Sequence, residues 1–228
     1  MDLPRARANA RRMVDRTVRL GGVRLRPHVK THKTLEGARL QTEGAFGGIT
    51  VSTLAEAHFY ARAGFEDLTY AVPIAPAKLA EAAAMSRRLR ALHLLLDSEE
   101  TLAAAAACAA QTGAELSFFL KVDCGYHRAG VDPRDPRSVE LARALQETPG
   151  LRLAGVLTHG GHSYACRNRE EVRHVAEEER REVVGFAEAL RRQGIRVPVV
   201  SLGSTPTVTA AQGPLSGVDE IRPGNYLF

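Results

Sequence analysis

Tryptophan is absent from this 228-residue chain, and phenylalanine and tyrosine bring the aromatic share only to 5%. Proteins that grip single-stranded nucleic acid stack bases on aromatic rings beside a basic stripe. Here rings are scarce. The 31 Lys and Arg against 26 Asp and Glu are spread along helix-like segments as paired arginines, so no nucleic-acid partner is expected. Cysteine is equally sparse. Cys108, Cys124 and Cys166 share no metal-ligand spacing. An odd count without a secretory signal excludes a disulfide framework and points to reduced thiols in a cytoplasmic protein. No apolar run reaches the length of a membrane span, and the basic N-terminus lacks an apolar signal core. No membrane partner and no metal site within the chain are therefore expected. No GxGxxG opens a helix, which counts against an open dinucleotide-binding sheet. No linker, low-complexity tract or short repeat interrupts the sequence, so residues 1–228 are expected to form a single domain.

What is present is alternation. Apolar runs suited to buried strands fall at 23–30, 48–52, 67–72, 91–97, 116–123, 153–159, 197–202 and 218–228. Helical patterns lie between them at about 4–20, 34–44, 53–64, 76–88, 98–113, 136–147 and 168–194. Thr53 with Glu56 forms a capping-box pattern, Ser98 is followed by two glutamates, and Gly113 and Gly194 suit helix ends. Eight strands interleaved with helices predict an α/β fold of the parallel (β/α)8, or TIM, barrel type.

In such a barrel, chemistry belongs at the C-terminal ends of the strands. The first strand ends in Arg26-Pro27-His28-Val29-Lys30-Thr31-His32-Lys33 and the fifth in Asp123-Cys124-Gly125-Tyr126-His127-Arg128-Ala129-Gly130. The sixth ends in Thr158-His159-Gly160-Gly161-His162-Ser163-Tyr164, the seventh in Gly203-Ser204-Thr205-Pro206-Thr207, and the eighth carries Arg222-Pro223-Gly224-Asn225-Tyr226. A lysine held among other cations can have its pKa lowered enough to act as a nucleophile or Schiff-base former. Turns after strands seven and eight are where barrels commonly hold phosphate, with backbone N–H groups and the Ser204 and Thr205 hydroxyls as donors. The residues alone thus predict a phosphate anchor facing a reactive lysine.

These five segments, in order and over nearly the whole chain, resemble the motifs of the fold-type III pyridoxal phosphate (PLP) enzymes. This is the alanine racemase N-terminal barrel superfamily, and the likeness is to its D-serine dehydratase and D-threonine aldolase branch. The resemblance implies that Lys30 forms the Schiff base with PLP, with Lys33 as competitor in the same motif. It implies that Arg128 approaches the cofactor's phenolic oxygen and that His159 packs on the pyridine ring. Ser204, Thr205, Gly224 and Asn225 would cradle the phosphate, Arg222 would face the pyridine nitrogen, and Tyr164 would touch cofactor or substrate. The implied function is a PLP-dependent lyase acting on D-hydroxy amino acids. Lys30 would be the Cα-proton base, and dehydratase chemistry of the D-serine type is favoured over retro-aldol cleavage. An amino-acid racemase and a non-catalytic PLP-binding barrel remain alternatives. The relatives carry a further, mostly β domain after the barrel. That domain supplies ligands for a divalent metal, zinc, and completes the site in a homodimer. Since the sequence stops where it would begin, the chain is expected to be the PLP barrel without it.

Several residues carry plainer expectations. His28 and His32 frame the first strand end. Asp123 orients its neighbours, Cys124 and Cys108 pack, and His58, His93 and His174 are structural. The run Glu177-Glu178-Glu179 is expected to form a solvated helix face.

Overall fold

The computed structural model describes residues 2–228. Eight strands alternate with helices: β1 (Arg24–Leu25), β2 (Ile49–Val51), β3 (Asp67–Pro73), β4 (Ala91–Leu96), β5 (Leu116–Lys121), β6 (Leu151–Leu157), β7 (Val199–Leu202) and β8 (Glu220–Ile221). All neighbouring pairs are parallel, in the order β1-β8-β7-β6-β5-β4-β3-β2. The remaining gap between β1 and β2 is closed by the bridge His28↔Thr50, where Thr50 N–H donates to Pro27 O at 2.8 Å. The sheet is therefore a (β/α)8 barrel.

The outer helices are α1 (Leu3–Arg19), α2 (Leu35–Thr42), α3 (Leu54–Arg62), α4 (Leu79–Ser86), α5 (Glu99–Thr112), α6 (Pro136–Glu147), α7 (Arg169–Arg192) and α8 (Thr205–Ala210). Their starts follow local chemistry. Asp2, Thr34, Thr53, Ser98, Asp135 and Asn168 each cap an N-terminus with a side-chain oxygen. Gly113 ends α5 in the left-handed region at φ 66°. Helix α8 was not expected from the sequence, because Thr205-Pro206-Thr207-Val208 has poor helix propensity. A reciprocal capping box between Ser204 and Thr207 starts it, and its buried Thr207, Val208 and Ala210 hold it.

Strand side chains alternate between two environments. Leu94, Leu96, Phe118, Leu120 and Val156 pack outward under the helices in the main core. Leu95, Phe119, Ala154 and Leu157 form a separate small cluster inside the barrel, with Ala71 and Val199 beside it. The same inward register carries polar residues. Arg26 pairs with Asp67 at 2.5 Å and with Glu220 at 2.7 Å, and His93 Nδ1 lies 2.9 Å from Ser117 Oγ.

Closure of β6 on β7 depends on one glycine. Gly155 has φ 151°, and a Cβ there would lie 1.9 Å from Val199 O. No side-chain rotation relieves a clash with backbone. Gly155→Ala is expected to destabilise the protein by roughly 3 kcal/mol, at the upper end of overpacking costs, measured as a lowered midpoint in urea.

Two strands are much shorter than the sequence suggests. The first apolar run, 23–30, yields only Arg24–Leu25, and Lys30 sits on a 3-10 turn, Val29–Thr31. Pro27 interrupts the run, and His28 caps the turn. The last run, 218–228, yields only Glu220–Ile221, after which Pro223 and Gly224 turn the chain into a second 3-10 turn, Asn225–Leu227.

Candidate active site

A solvent-open cleft lies over the C-terminal ends of the strands. Lys30, Arg128, His159 and Tyr164 line it, together with Ser204, Thr205, Arg222, Gly224 and Asn225. The structure thus brings every site residue expected from the sequence into one cavity. His28, Ala71, Lys121, Leu157 and Gly203 complete the lining. Four lining side chains are cationic and none is a carboxylate, so the cleft suits an anionic guest.

The lysine turn is tied to the β8 loop. Thr31 Oγ1 and Gln41 Nε2 both donate to Gly224 O, at 3.3 and 3.1 Å. A Cβ on Gly224 would lie 2.9 Å from His28 O, so glycine permits this approach. Burial and the nearby Arg128 lower the Lys30 ammonium from its ordinary value, with Arg222 adding to the effect against the pull of Glu56. Lys33 turns away. Its Nζ pairs with Glu56 at 3.1 Å and its side chain is 64% exposed. His32 is structural: Nε2 lies 2.9 Å from Gln41 Oε1, and Nδ1 accepts from Thr34 N–H at 3.2 Å.

Arg128 stands on a folded loop. Asp123 organises it by accepting N–H bonds from Gly125 and His127, each at 3.0 Å, and by pairing with His127 Nδ1 at 2.8 Å. The Arg128 guanidinium lies 5.1 Å from the centre of the Tyr126 ring, which meets His159 edge-on at 6.5 Å. Gly161 makes room for Tyr126, since a Cβ there would lie 2.3 Å from the ring. Burial, then Arg222, Arg128, Lys121 and Lys30 in turn, push His159 down to about 3. It is a neutral ring at physiological pH.

At the other wall, Thr205 Oγ1 accepts the N–H groups of Gly224 and Asn225, at 3.0 and 2.9 Å. Ser204 is turned inward, where its hydroxyl lies 3.0 Å from Ser163 Oγ and caps Thr207 N. Asn225 Nδ2 donates to Tyr164 OH at 3.4 Å. Arg222 donates to Ser201 Oγ and to Thr158 O. Burial lowers it to about 10, against the pull of Glu220 and Glu179.

Reading strand ends for motifs overlooks two residues. Lys121, the last residue of β5, is buried with its Nζ donating to Val122 O at 2.9 Å, and burial lowers it to about 8. Its signal was period two: Ser117 and Phe119 share its inward face. Glu179 corrects the expectation of a solvated acidic run. Glu177 and Glu178 face Arg180 and His174, but Glu179 is fully buried. Its signal was the helical stripe of Val175, Ala176, Val183 and Val184 on which it stands.

The buried imidazoles make the fold acid-sensitive. His159 is held at about 3 and His93 at about 4, both below the unfolded value, and burial lowers His28 as well. Between those values and 6.5 the unfolded chain binds more protons, so stability is full above about pH 6.5 and falls on acidification. Each pH step inside the window costs about 1.4 kcal/mol per histidine. The melting temperature is expected to drop steeply from pH 7 to pH 5; a flat profile there contradicts the assignment.

The profile of the family described as "Alanine racemase, N-terminal domain" matches residues 1–228. A D-threo-3-hydroxyaspartate dehydratase of Delftia sp. is 44% identical over 229 residues, covering 100% of this chain and 60% of that protein. A D-serine dehydratase of Dictyostelium discoideum is 37% identical over 237 residues, covering 97% of this chain and 60% of that protein. The solved Delftia structure superposes with a TM-score of 0.95 at 43% identity, over 100% of this chain and 60% of that one. The chain therefore spans about 60% of the length of these relatives. With the motifs, the barrel and the cleft in agreement, the chain belongs to the alanine racemase N-terminal domain family, the barrel of the fold-type III PLP enzymes.

Proposed function

We propose that the cleft binds PLP and that the protein is a lyase eliminating water from a D-3-hydroxy amino acid. The observation that carries this reading is the cleft itself: Lys30, Lys121, Arg128 and Arg222 converge on a cavity without a lining carboxylate. That donor set fits a phosphate-bearing aldehyde. Bound there, PLP supplies an electron sink for charge developing at Cα. Lys30 Nζ would hold it, and the same amine would be the base for the Cα proton. Burial and Arg128 lower its pKa, which favours the neutral amine that both tasks need. Neutral His159 offers a flat face against the ring without adding charge. Arg222, fixed by Ser201 and Thr158, presents a guanidinium that cannot swing away. Gly224, Asn225 and Thr205 hold the phosphate side, with Tyr164 beside them. The described residues hold no group of three His, Cys, Asp or Glu fit for a metal.

Dehydration is favoured because the D-threo-3-hydroxyaspartate dehydratase and the D-serine dehydratase are 44% and 37% identical, against 31% for the D-threonine aldolase of Arthrobacter sp.. The test is a panel of D-amino acids on the full-length protein, with and without chelator. Keto acid and ammonia from D-serine or D-threo-3-hydroxyaspartate are expected. Glycine and aldehyde released from D-threonine, without keto acid, would replace this reading with a retro-aldol one.

A further inference from the structure

Glu179 belongs to an outer helix, yet its carboxylate is 0% exposed. From α7 it reaches over the barrel rim to the loops after β6 and β7. Oε1 accepts the Gly160 N–H at 2.5 Å and the Gly203 N–H at 3.1 Å. The first loop carries His159 one residue before Gly160; the second carries Ser204 and Thr205 directly after Gly203. The fit is close: a Cβ on Gly160 would lie 3.1 Å from the carboxylate carbon. Oε2 is buried without a hydrogen-bond partner. Burying a carboxyl group costs free energy that its hydrogen bonds must offset. Here both bonds go to the backbone of the two loops that wall the cleft.

We propose that Glu179 is a positioning residue of the cofactor site, tying the β6 loop to the β7 loop so that His159 and the Ser204–Thr205 turn keep one spacing across the cleft. No other side chain among the described residues bonds the backbone N–H groups of both loops. The proposal rests on the PLP reading above, and two substitutions separate reach from charge. Glu179→Gln keeps an oxygen for both N–H groups and removes the charge. Glu179→Asp keeps the charge and withdraws the oxygen by one methylene.

The experiment titrates the cofactor-stripped, full-length protein and its Gln, Asp and Ala variants with PLP, followed by absorbance, and records thermal unfolding of the same samples. The clamp predicts a Kd within about threefold of the unaltered protein for Gln. It predicts binding about ten- to a hundredfold weaker for Asp and Ala, the scale of one lost charge-assisted hydrogen bond. The reverse order, with Asp normal and Gln weak, assigns the effect to charge and overturns the clamp. Lowered melting temperatures with an unchanged Kd reduce Glu179 to a structural residue and overturn it equally. If the Ala variant does not fold, the Gln and Asp pair decides alone. Absence of PLP binding by the unaltered protein defeats the cofactor reading first, before any variant is compared.

Discussion

Replacing Lys30 with alanine is expected to abolish the pyridoxyl label that borohydride fixes in the unaltered protein, and to lower lyase turnover by about a thousandfold or more. The magnitude follows from removing two functions at once, since proton transfer by a positioned base alone contributes about a hundred- to ten-thousandfold. Three amines could in principle carry the label. Lys33 is excluded by direction, because it pairs with Glu56 and does not line the cleft; Lys33→Ala is expected to keep the label and stay within about threefold in activity, because its exposed side chain lies outside the cleft. Lys121 is the serious rival. It lines the cleft, and burial lowers it to about 8. But it is fixed on Val122 O and 6% exposed, whereas Lys30 Nζ makes no hydrogen bond among the described residues and stands at the solvent side. A Schiff base must be displaced by each incoming substrate, which an accessible amine allows and an embedded one resists. Peptide mapping of the reduced protein decides. A pyridoxyl group on Lys121 or Lys33, or a label that survives in Lys30→Ala, would falsify the assignment.

The barrel was legible in the sequence because its signals are local. Strand runs such as Leu116–Lys121 and caps such as Thr53 and Ser98 are read from a few neighbouring residues. The strand-end motifs were equally legible, since the fold delivers strand ends to one face whatever the details. What escaped was set by residues far apart in the chain. The brevity of β1 and β8 is the local exception, set by Pro27 and Pro223 just beyond the strand ends. Helix α8 exists by its capping box and burial against propensity. Glu179 was misread because a run of three glutamates looks solvated until its register against Val175 and Val183 is counted. Lys121 was missed because it precedes the motif that drew attention to Arg128. For Glu179 and Lys121 the missing information was which face a side chain occupies, and periodicity supplies that.

Arg26→Ala is expected to cost about 3–5 kcal/mol, the range for removing one partner of a buried ion pair. Arg26 is 3% exposed and bonds two carboxylates inside the barrel, Asp67 at 2.5 Å and Glu220 at 2.7 Å. Glu220 is 0% exposed, and with Arg26 gone its nearest remaining polar contact is the Ser201 hydroxyl at 2.7 Å. Asp67 retains only Arg90, at 3.5 Å and 61% exposed, which replaces little. Two buried like charges are then left to repel. Against a total stability of about 5–15 kcal/mol, a loss of this size removes a large share of the folded margin. The pH dependence gives the account its sharper test. In the intact protein burial raises Glu220, but Arg26 and Ser201 more than reverse this, so its pKa lies below the ordinary 4.5. Its contribution is therefore present above that value and lost as pH falls through the folded pKa. Without Arg26, burial prevails and the folded pKa rises above 4.5. The variant's penalty is then full at neutral pH and relieved as Glu220 takes up a proton. The difference between the two proteins, measured by urea unfolding, should narrow from pH 7 to pH 5. A constant difference, or one below about 1 kcal/mol at pH 7, would show that the pair is screened like a surface contact. Because Arg222 bonds the same Ser201 hydroxyl that donates to Glu220, the loss should reach the cleft as well. Arg26→Ala should weaken PLP binding by about tenfold even where the fold survives, the scale of one displaced hydrogen bond to a charged group.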